Sequence, residues 1–466
     1  MLRIFSHYIP VSIVLLVIIE TLVLFFSVYL GVEIRFMDAV DKEASISLIR
    51  PLDSKAYIFT FSMLLSMTAM GLHTRNVVDD FSSMMIRIFL SFGLGFFVTA
   101  IVYYIYPQFF LGRGVVAITF FVGFVGILLT RTLHQKLDNH NIFKRKVLVL
   151  GSGKNGLIVE GVLDKAKKQG YDVIGCIAIN DEAPLVNEKN LVEIETTLLD
   201  LCLDNKVDEI ILAMDDRRNQ FPATGLLECK MKGILVNDLT VFLERIKGHL
   251  ELDAVRPSTI IFSEGFTKAV SMNTVKRVFD VLSSLIILIF ASPIIVLTYI
   301  SIWLSTFGKD PVFYRQVRVG LCDGPFNVLK FRSMRSDAEK NGAQFATKGD
   351  SRITKIGSFI RLTRIDELPQ LLNVLKGDMS FIGPRPERPE FVLQYEQSIP
   401  HYALRHTVKP GITGWAQICH PYSDTEEDTK LKLQYDLYYI KNYSIFLDLT
   451  ILLQTIQVVL FGQGSR

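Results

Sequence analysis

Residues 361–388 read RLTRIDELPQLLNVLKGDMSFIGPRPER, and they place an acidic pair, Asp366–Glu367, among basic residues. Arginines flank the pair on both sides: Arg361 and Arg364 before it, Arg385 and Arg388 after it. Carboxylates beside clustered guanidinium groups suit phosphoryl chemistry, because a carboxylate can attack phosphorus or hold a metal ion while arginines bind phosphate oxygens. The same pattern also fits a solvated, charged helix end.

Arg385 lies in a Gly-Pro-Arg-Pro turn, between Pro384 and Pro386. Proline restricts its own φ and keeps the residue before it extended. We therefore expect Arg385 on a stiff, extended backbone rather than in a free loop.

The chain has 466 residues, enough for two or three domains, and 50% of them are hydrophobic, including 33 phenylalanines. This apolar content excludes an ordinary soluble protein. The five cysteines are scattered without a C-x-x-C pair, which argues against a disulfide framework or a zinc site and is compatible with reduced thiols facing a cytosol. The net charge of +3 is small and by itself says little about partners. No nucleic-acid partner is expected.

Residues 1–135 are predicted to form a region of four transmembrane helices. Four apolar runs approach the ~20 residues that cross a bilayer: Ile9–Leu30, Tyr57–Leu72, Met84–Tyr106 and Val115–Thr130. The second run is the weakest, because it is short and rich in Ser, Thr and Met, and a buried core helix is its alternative. Basic residues cluster after the fourth run, so the positive-inside rule places both termini in the cytoplasm.

Residues 136–250 are predicted to form a Rossmann-like α/β domain. A short apolar strand, Val147–Leu150, leads into Gly151-x-Gly153-x-x-Gly156 and then a helical stretch. This is the setting in which glycines let a pyrophosphate approach a helix N-terminus. The acidic residue that would hold a ribose is one place late, at Asp181 after Asn180. Nucleotide binding by the three glycines and a purely structural or regulatory role both stay open.

A linker over 251–273 is predicted to lead into a further domain, 274–466, that begins with a fifth apolar run. This run, 278–307, is flanked by basic residues on both sides, so crossing the membrane would place a basic domain outside. Ser292–Pro293 lies at its middle, where proline breaks the helical hydrogen bonding and serine can satisfy a freed carbonyl. We therefore predict a re-entrant helix hairpin that enters and leaves one leaflet, with a kinked fifth span as the alternative.

The region from Lys276 to about Leu449 resembles the catalytic domain of the monotopic phosphoglycosyl transferases, the bacterial sugar transferases that start polyprenyl-linked glycan assembly. The matching motifs run in order along the chain: Lys276-Arg277…Asp280, Ser292-Pro293, Lys330-Phe-Arg-Ser-Met334, Asp366-Glu367-Leu-Pro-Gln370, Gly377-Asp-Met-Ser380, Gly383-Pro-Arg-Pro386 and Pro410-Gly-Ile-Thr-Gly-Trp-Ala-Gln417. With the transmembrane region and the α/β domain before them, the whole chain resembles the large members that initiate exopolysaccharide synthesis.

The resemblance implies a phosphotransferase that moves a sugar-1-phosphate from a UDP-sugar to undecaprenyl phosphate and releases UMP. Asp366 would be the nucleophile that forms a covalent phosphosugar intermediate, and Glu367, with Asp366, would hold Mg²⁺. The residues implied in substrate binding are Arg385, Lys330, Arg332, Arg364 and Gln417. The catalytic domain would lie on the cytoplasmic face of the bacterial inner membrane, acting ahead of downstream glycosyltransferases, and a homodimer is one option for its assembly.

One departure concerns the loop after Gln417. Small family members continue with Val-Asn-Gly-Arg, whereas this chain has Ile418-Cys-His-Pro421, so the expected arginine is missing. His420 is the candidate substitute. The identity of the donor sugar stays open, with glucose and galactose the first candidates by resemblance.

Two other classes of protein share part of this pattern. A membrane-anchored NAD-dependent nucleotide-sugar epimerase or dehydratase would need a Tyr-x-x-x-Lys pair, and none of the 16 tyrosines has a lysine four residues later. A membrane sensor without enzymatic activity would leave the acidic pair and the Gly-Pro-Arg-Pro turn unexplained. A last apolar run, Ser444–Gly462, contains Asp448, and we predict that it lies at the membrane interface.

Overall fold

The computed structural model describes the chain except for residues 1, 5–6, 10, 48–49, 74–80, 140–143, 169, 180–183, 194–196, 217–220, 254–264, 267–269, 339–349, 421–424 and 461–466. Apart from the first seven residues, the chain divides into two compact units, Tyr8–Val255 and Arg256–Arg466. Asn180 and Asp181, on which the ribose prediction depends, lie outside the described residues, as does most of the predicted linker.

The amino-terminal region is a set of long apolar helices. Two short paired strands, β1 (Leu2–Ile4) and β2 (His7–Ile9), come first. The helices are α1 (Val11–Arg35), α2 (Lys42–Ser47), α3 (Leu52–Ala69), α4 (Phe81–Ile105) and α5 (Arg113–Asn139), with a 3-10 turn at Pro107–Phe109. A helix of 25 residues such as α1 or α4 is roughly 38 Å long, which exceeds the thickness of a hydrocarbon core.

Four helices among the described residues are long and apolar enough to cross a membrane: Ile13–Arg35, Met84–Ile105, Arg113–Lys136 and Asn273–Ser305. Three of them are predicted amino-terminal spans, and the fourth covers the predicted re-entrant run, 278–307, except for its last two residues. Helix α3 is not one of the four; it has 18 residues, of which nine are buried, including Lys55. A transmembrane position for α3 therefore stays a prediction.

A buried ion pair connects α1 with α5. The Glu20 side chain is fully buried, and its Oε1 lies 2.7 Å from Arg131 Nε. The other carboxylate oxygen of Glu20 lies 2.7 Å from His73 Nε2. Because a charge inside an apolar bundle is costly unless it is paired, these contacts favour one arrangement of the helices.

The middle of the chain forms a parallel four-stranded sheet in the order β4-β3-β5-β6. Its strands are β3 (Arg145–Leu150), β4 (Tyr171–Ile177), β5 (Glu209–Leu212) and β6 (Leu235–Asp238). The helices between and after them are α6 (Lys154–Glu160), α7 (Leu163–Lys168), α8 (Leu198–Asp204), α9 (Ala223–Met231) and α10 (Leu239–Lys247).

Alternate side chains of β3 enter two separate hydrophobic cores. Val147 and Val149 pack in one core with Phe242, and Leu148 and Leu150 pack in the other. A parallel sheet with both faces covered needs this continuous apolar run, because successive side chains point to opposite faces. The predicted α/β layout of this region is thus what the chain adopts.

The second unit combines helices with short strands around the acidic pair. Its helices are α11 (Val270–Ser305), α12 (Lys355–Leu362), α13 (Gln370–Lys376), α14 (Pro389–Ser398), α15 (Trp415–Cys419), α16 (Glu426–Lys441) and α17 (Ile445–Leu460). Strands β7 (Phe313–Val319) and β8 (Pro325–Phe331) form an antiparallel hairpin. Strand β9 (Ser380–Ile382) pairs in parallel with β10 (Gly411–Thr413). The described part of the unit also has three short 3-10 segments: Leu321–Asp323, Ile365–Glu367 and Tyr402–Thr407.

Helix α11 runs without interruption through Ser292 and Pro293. The Ser292 hydroxyl donates to the carbonyl of Ile289 at 2.8 Å, which is the local satisfaction that a proline inside a helix calls for. A re-entrant path for this helix stays a prediction.

The first turns of α11 are tied to the segment that follows the acidic pair. Arg277 donates to the carbonyls of Val374 and Leu375 at 2.5 and 2.6 Å, where α13 ends. The Asp280 carboxylate accepts from the Ser380 hydroxyl and the Phe381 amide. These two residues of the first family-like motif therefore bind main chain and strand residues rather than facing the acidic pair.

Asp448 in α17 is buried and paired, with only 1% of its surface exposed. Its carboxylate lies 3.0 Å from Lys276 Nζ and accepts from the Tyr439 hydroxyl at 2.8 Å. The charge that argued against α17 as a membrane span is thus paired inside the protein. The position of α17 at the membrane interface stays a prediction.

Candidate active site

The acidic pair lies in a corner between α12 and α13. The Thr354 side chain accepts from the amide of Gly357 and begins α12. Arg364 then adopts a left-handed conformation, with φ of 58°, which ends the helical path and turns the chain into the 3-10 segment Ile365–Glu367. Asp366 and Glu367 are 9% and 8% exposed. The corner thus places two carboxylates in a largely desolvated position.

Glu367 is surrounded by cationic side chains. Its Oε1 lies 2.5 Å from Arg385 Nη2, 3.2 Å from Lys330 Nζ and 3.9 Å from Arg364 Nη1. These cations, with Arg385 the strongest of them, hold the pKa of Glu367 well below its usual range although burial opposes this. The carboxylate in turn raises the pKa of Arg385. Glu367 is therefore ionised across the physiological range.

Asp366 is in the opposite electrostatic situation. Burial and the adjacent charge of Glu367 raise the pKa of Asp366 to about 6, and the charges of Lys330, Arg361 and Arg385 lower it less. Its Oδ1 is buried and has no hydrogen-bond partner among the described residues. At neutral pH the Asp366 carboxylate is therefore ionised, and one of its oxygens accepts no hydrogen bond from the residues that the structure describes, which is what a nucleophile or a metal ligand needs.

Lys330 is placed by the strand that carries it. The Asn373 side chain in α13 accepts from the amide of Leu329 at 3.0 Å and donates to the carbonyl of Asn327 at 2.7 Å. These two bonds fix β8 against the helix that follows the acidic pair. Lys330 therefore reaches Glu367 from a defined register.

Arg385 is placed by a close crossing of two glycine-containing turns. A Cβ atom on Gly383 would lie 2.4 Å from the carbonyl oxygen of Lys409, and one on Gly411 would lie 2.1 Å from the amide of Gly383. Only glycine allows this approach, because any side chain there would overlap main-chain atoms. The Gly-Pro-Arg-Pro and Pro-Gly-Ile-Thr-Gly motifs are distant in sequence, but their main chains thus pack directly against each other next to Arg385.

A family model described as "Bacterial sugar transferase" matches residues 271–462. The chain is 33% identical over 325 residues to a UDP-glucose:undecaprenyl-phosphate glucose-1-phosphate transferase of Escherichia coli (strain K12), covering 69% of this chain and 68% of that protein. The chain belongs to the bacterial sugar transferase family. A Xanthomonas campestris pv. campestris transferase of the same name is 31% identical over 368 residues, covering 76% of this chain and 75% of that protein.

A further relative differs in the sugar that its name states. The UDP-N-acetylgalactosamine-undecaprenyl-phosphate N-acetylgalactosaminephosphotransferase of Aeromonas hydrophila is 42% identical over 241 residues, which is 52% of this chain. The chain spans 56% of the length of that relative. Similarity to relatives whose names carry different sugars does not choose between donors.

Three other side chains predicted to bind substrate lie outside the cluster at Glu367. Arg332 Nε donates to the carbonyl of Pro311 at 2.8 Å, beside the start of β7. His420 Nε2 lies 3.2 Å from Asp428 Oδ1, at the beginning of α16. Gln417 donates to the carbonyl of Ile412 at 3.3 Å, while its side-chain oxygen is buried without a partner among the described residues. A role in binding for these three stays a prediction, with the Gln417 oxygen the best placed to accept a ligand.

The oxygen ligands of the acidic pair fit a magnesium ion. Mg²⁺ prefers hard oxygen donors and usually takes one or two carboxylates together with substrate phosphates. The buried Asp366 Oδ1 has no described partner and is available as a ligand. The nearby Glu367 is ionised but already in contact with Arg385, so its share in binding an ion requires that these contacts rearrange.

The glycine-rich turn of the α/β domain carries its own carboxylate. Asp215 accepts hydrogen bonds from the amides of Lys154 and Asn155 at 2.8 and 2.9 Å, at the start of α6. In nucleotide-binding relatives of this fold the pyrophosphate takes such amides. A Cβ on Gly151 would meet the carbonyl oxygen of Ala213 at 2.4 Å, so close packing alone accounts for this glycine. The contacts favour the structural alternative over a nucleotide.

Four charged residues support the site but belong to none of the motifs, and they were not predicted from the sequence. Arg405, Asp436, Glu387 and Lys432 are ion-paired and largely buried around the turn of Arg385. The signal that was available is the charge of Asp436 within the otherwise apolar stretch YDLYYI of α16. A charge at such a position predicts a buried partner, but the sequence does not say which one.

Proposed function

We propose that this protein transfers a sugar-1-phosphate from a UDP-sugar to undecaprenyl phosphate, releasing UMP and forming the first lipid-linked sugar of an exopolysaccharide. The observation that carries the proposal is the contrast within the acidic pair: Asp366 presents a buried oxygen without a partner in the described part of the chain, and Glu367 is held by Arg385 and Lys330. The two substrates both carry phosphate and repel each other. Cations at the site offset this charge, and a nucleophile on the protein lets the two substrates react one after the other.

In the first step, an oxygen of Asp366 forms a bond to the β-phosphorus of the UDP-sugar. The bond between that phosphorus and the oxygen bridging to the α-phosphorus breaks, and UMP leaves with the electron pair. Arg385 and Lys330 offset the charge on the phosphate oxygens as it develops. No base is needed, because the pKa of Asp366 at about 6 leaves the carboxylate ionised at neutral pH.

In the second step, a phosphate oxygen of undecaprenyl phosphate attacks the same phosphorus. The bond to Asp366 breaks, which returns the carboxylate and yields a lipid diphosphate sugar. A covalent intermediate lets UMP leave before the second anion arrives, so the two anionic substrates never share the site. Mg²⁺ bound by Asp366 and Glu367 would supply further charge neutralisation on the phosphate oxygens.

The proposal is tested with purified protein, Mg²⁺, undecaprenyl phosphate and a panel of UDP-sugars, with UMP as the measured product. We expect release from at least one donor, none from Asp366→Asn, and unchanged release from Asp323→Asn, whose side chain is 62% exposed. Without lipid, the wild type should release about one UMP per protein in a burst. Turnover of Asp366→Asn at the wild-type rate would refute the covalent route, and omission of Mg²⁺ with no loss of rate would remove the metal from the proposal.

We also propose that the catalytic unit stays on the cytoplasmic face of the inner membrane, with α11 as a re-entrant helix. The basic residues on both sides of α11 and the Ser292–Pro293 pair support this. A single cysteine introduced at Gly308, in a background without the native cysteines, should react with a membrane-impermeant reagent only from the cytoplasmic side. Labelling from the periplasm would show that the helix crosses.

A further inference from the structure

Arg405 is a buried cation that contacts the turn of Arg385 from the side of its main chain. It lies in the 3-10 segment Tyr402–Thr407 and is 3% exposed. Its Nη2 donates to the carbonyl oxygen of Arg385 at 2.9 Å. Its Nη1 donates to the Tyr402 hydroxyl oxygen at 2.6 Å. Within the described residues its guanidinium group hydrogen-bonds to these two oxygens and to Asp436.

Asp436 gives Arg405 its charge partner and its orientation. The carboxylate lies in α16, is 2% exposed, and its Oδ2 accepts from Arg405 Nη2 at 2.8 Å. One guanidinium nitrogen therefore serves both the carboxylate and the Arg385 carbonyl. The planar, rigid fork of arginine can hold two such acceptors at once, whereas a lysine ammonium on a flexible stem fixes neither geometry.

The two residues after Arg385 are tethered as well. Arg318 Nη1 donates to the carbonyl of Pro386 at 3.1 Å, and the Glu387 side chain pairs with Lys432 at 2.9 Å. The turn thus cannot shift as a whole, and Arg405 is the side chain that holds the carbonyl of Arg385 itself. The side chain of Arg385 extends to Glu367, where Arg385 Nη2 lies 2.5 Å from Glu367 Oε1.

We propose that Arg405 and Asp436 form a positioning pair, which fixes the main chain of Arg385 so that its guanidinium group stays on Glu367 and on the phosphate oxygens of the donor. The pair touches neither substrate nor the reacting atoms, and it acts through Arg385. This inference rests on the function proposed above, and it assigns a role to residues outside the motifs that suggested that function.

The test is a double-mutant cycle on UMP release. A displacement of about 1 Å in a catalytic group can cost about 100-fold in rate, so we expect Arg405→Lys to lower kcat about 10- to 100-fold. In an Arg385→Ala background the same substitution should lower kcat less than about threefold, because the group it positions is already gone. Arg352→Lys is the matched control, since it makes the same substitution in another arginine that is paired with an aspartate, Asp350; it should retain the wild-type kcat.

The outcomes separate the two proposals. Losses that multiply in the double variant would show that Arg405 acts independently of Arg385 and would overturn the positioning role while the function stands. A wild-type protein that releases no UMP from any donor would overturn both. If Arg405→Lys lacks a cooperative melting transition, Asp436→Asn carries the cycle, because it keeps the shape of the carboxylate and removes only its charge; the same non-additive pattern is expected.

Discussion

The raised pKa of Asp366 predicts that the rate of the first half-reaction falls at low pH, which gives its pH profile an acid limb. A substitution at Arg361 should shift the pH at which this fall occurs. The ionised carboxylate is the nucleophile, so the rate of UMP release should follow its ionised fraction. With a pKa of about 6, that fraction is about 0.9 at pH 7 and about 0.1 at pH 5. The rate should therefore fall roughly tenfold between these two values of pH.

Arg361 lies at the end of α12, and its charge lowers the pKa of Asp366. Removing that charge in Arg361→Gln should raise the pKa and move the acid limb to higher pH. An interaction between partly exposed charges is worth about 0.2–1 kcal/mol, which corresponds to a shift of about 0.1–0.7 pH unit. The rate at pH 6 should then drop by as much as about threefold, with no change at pH 8.

The measurement is the burst of UMP without lipid acceptor, followed from pH 5 to 8.5 at constant ionic strength. Omitting undecaprenyl phosphate matters because its phosphate titrates in the same range, whereas the diphosphate diester of the donor does not. Lys355→Gln is the matched control, since it removes a positive charge from the first turn of the same helix, whereas Arg361 lies in the last turn. A burst rate that is flat down to pH 5, or a limb that moves to lower pH in Arg361→Gln, would refute the assignment of this limb to Asp366.

Three further variants test the energetics of buried charges. Asp366→Asn should stabilise the protein by about 1–3 kcal/mol at pH 7.5 and by about half as much at pH 5 in thermal melts. A carboxyl whose pKa is raised to about 6 on folding destabilises the folded protein progressively as the pH rises from its ordinary pKa to the raised one; equal effects at both pH values would contradict this. Asp215→Ala should lower the free energy of unfolding by about 1–2 kcal/mol, because two hydrogen bonds from main-chain amides are lost. NAD should leave the melting temperature of the wild type unchanged; an increase would restore the nucleotide hypothesis. Lys276→Met leaves Asp280 and Asp448 buried without their shared cation and should cost about 3–5 kcal/mol in detergent, whereas a loss below about 1 kcal/mol would show that these carboxylates are not charged.

Much of the architecture could be predicted because it depends on local patterns. The apolar runs at α1, α4 and α5 are long enough to cross a bilayer, and the helices appear there. The strand Val147–Leu150 and the glycines after it indicate a covered parallel sheet, which forms. For α3, the length of the apolar run is a weaker guide. Nine of its residues, including Lys55, are buried against other parts of the protein, and composition does not reveal those contacts.

The candidate site divides in the same way. The sequence alone determines that Asp366, Glu367 and Arg385 carry charge close together in the chain, and that prolines stiffen the turn around Arg385. Only the tertiary structure decides that Glu367 takes the cations while an oxygen of Asp366 stays without a described partner, because burial and the distances between side chains set these pKa values.

Long-range pairing accounts for the rest. Lys330 reaches Glu367 across 37 residues, and Arg405 meets Asp436 across 31, through elements whose packing no local pattern records. Asp215 is a second example. The glycine motif before α6 is typical of a phosphate site, but Asp215, about 60 residues later, accepts the hydrogen bonds of the amides that a phosphate would use. Composition and motif spacing determine which groups a chain carries and how far it can extend, while the choice among partners for a buried charge depends on desolvation, which exists only once the chain has folded.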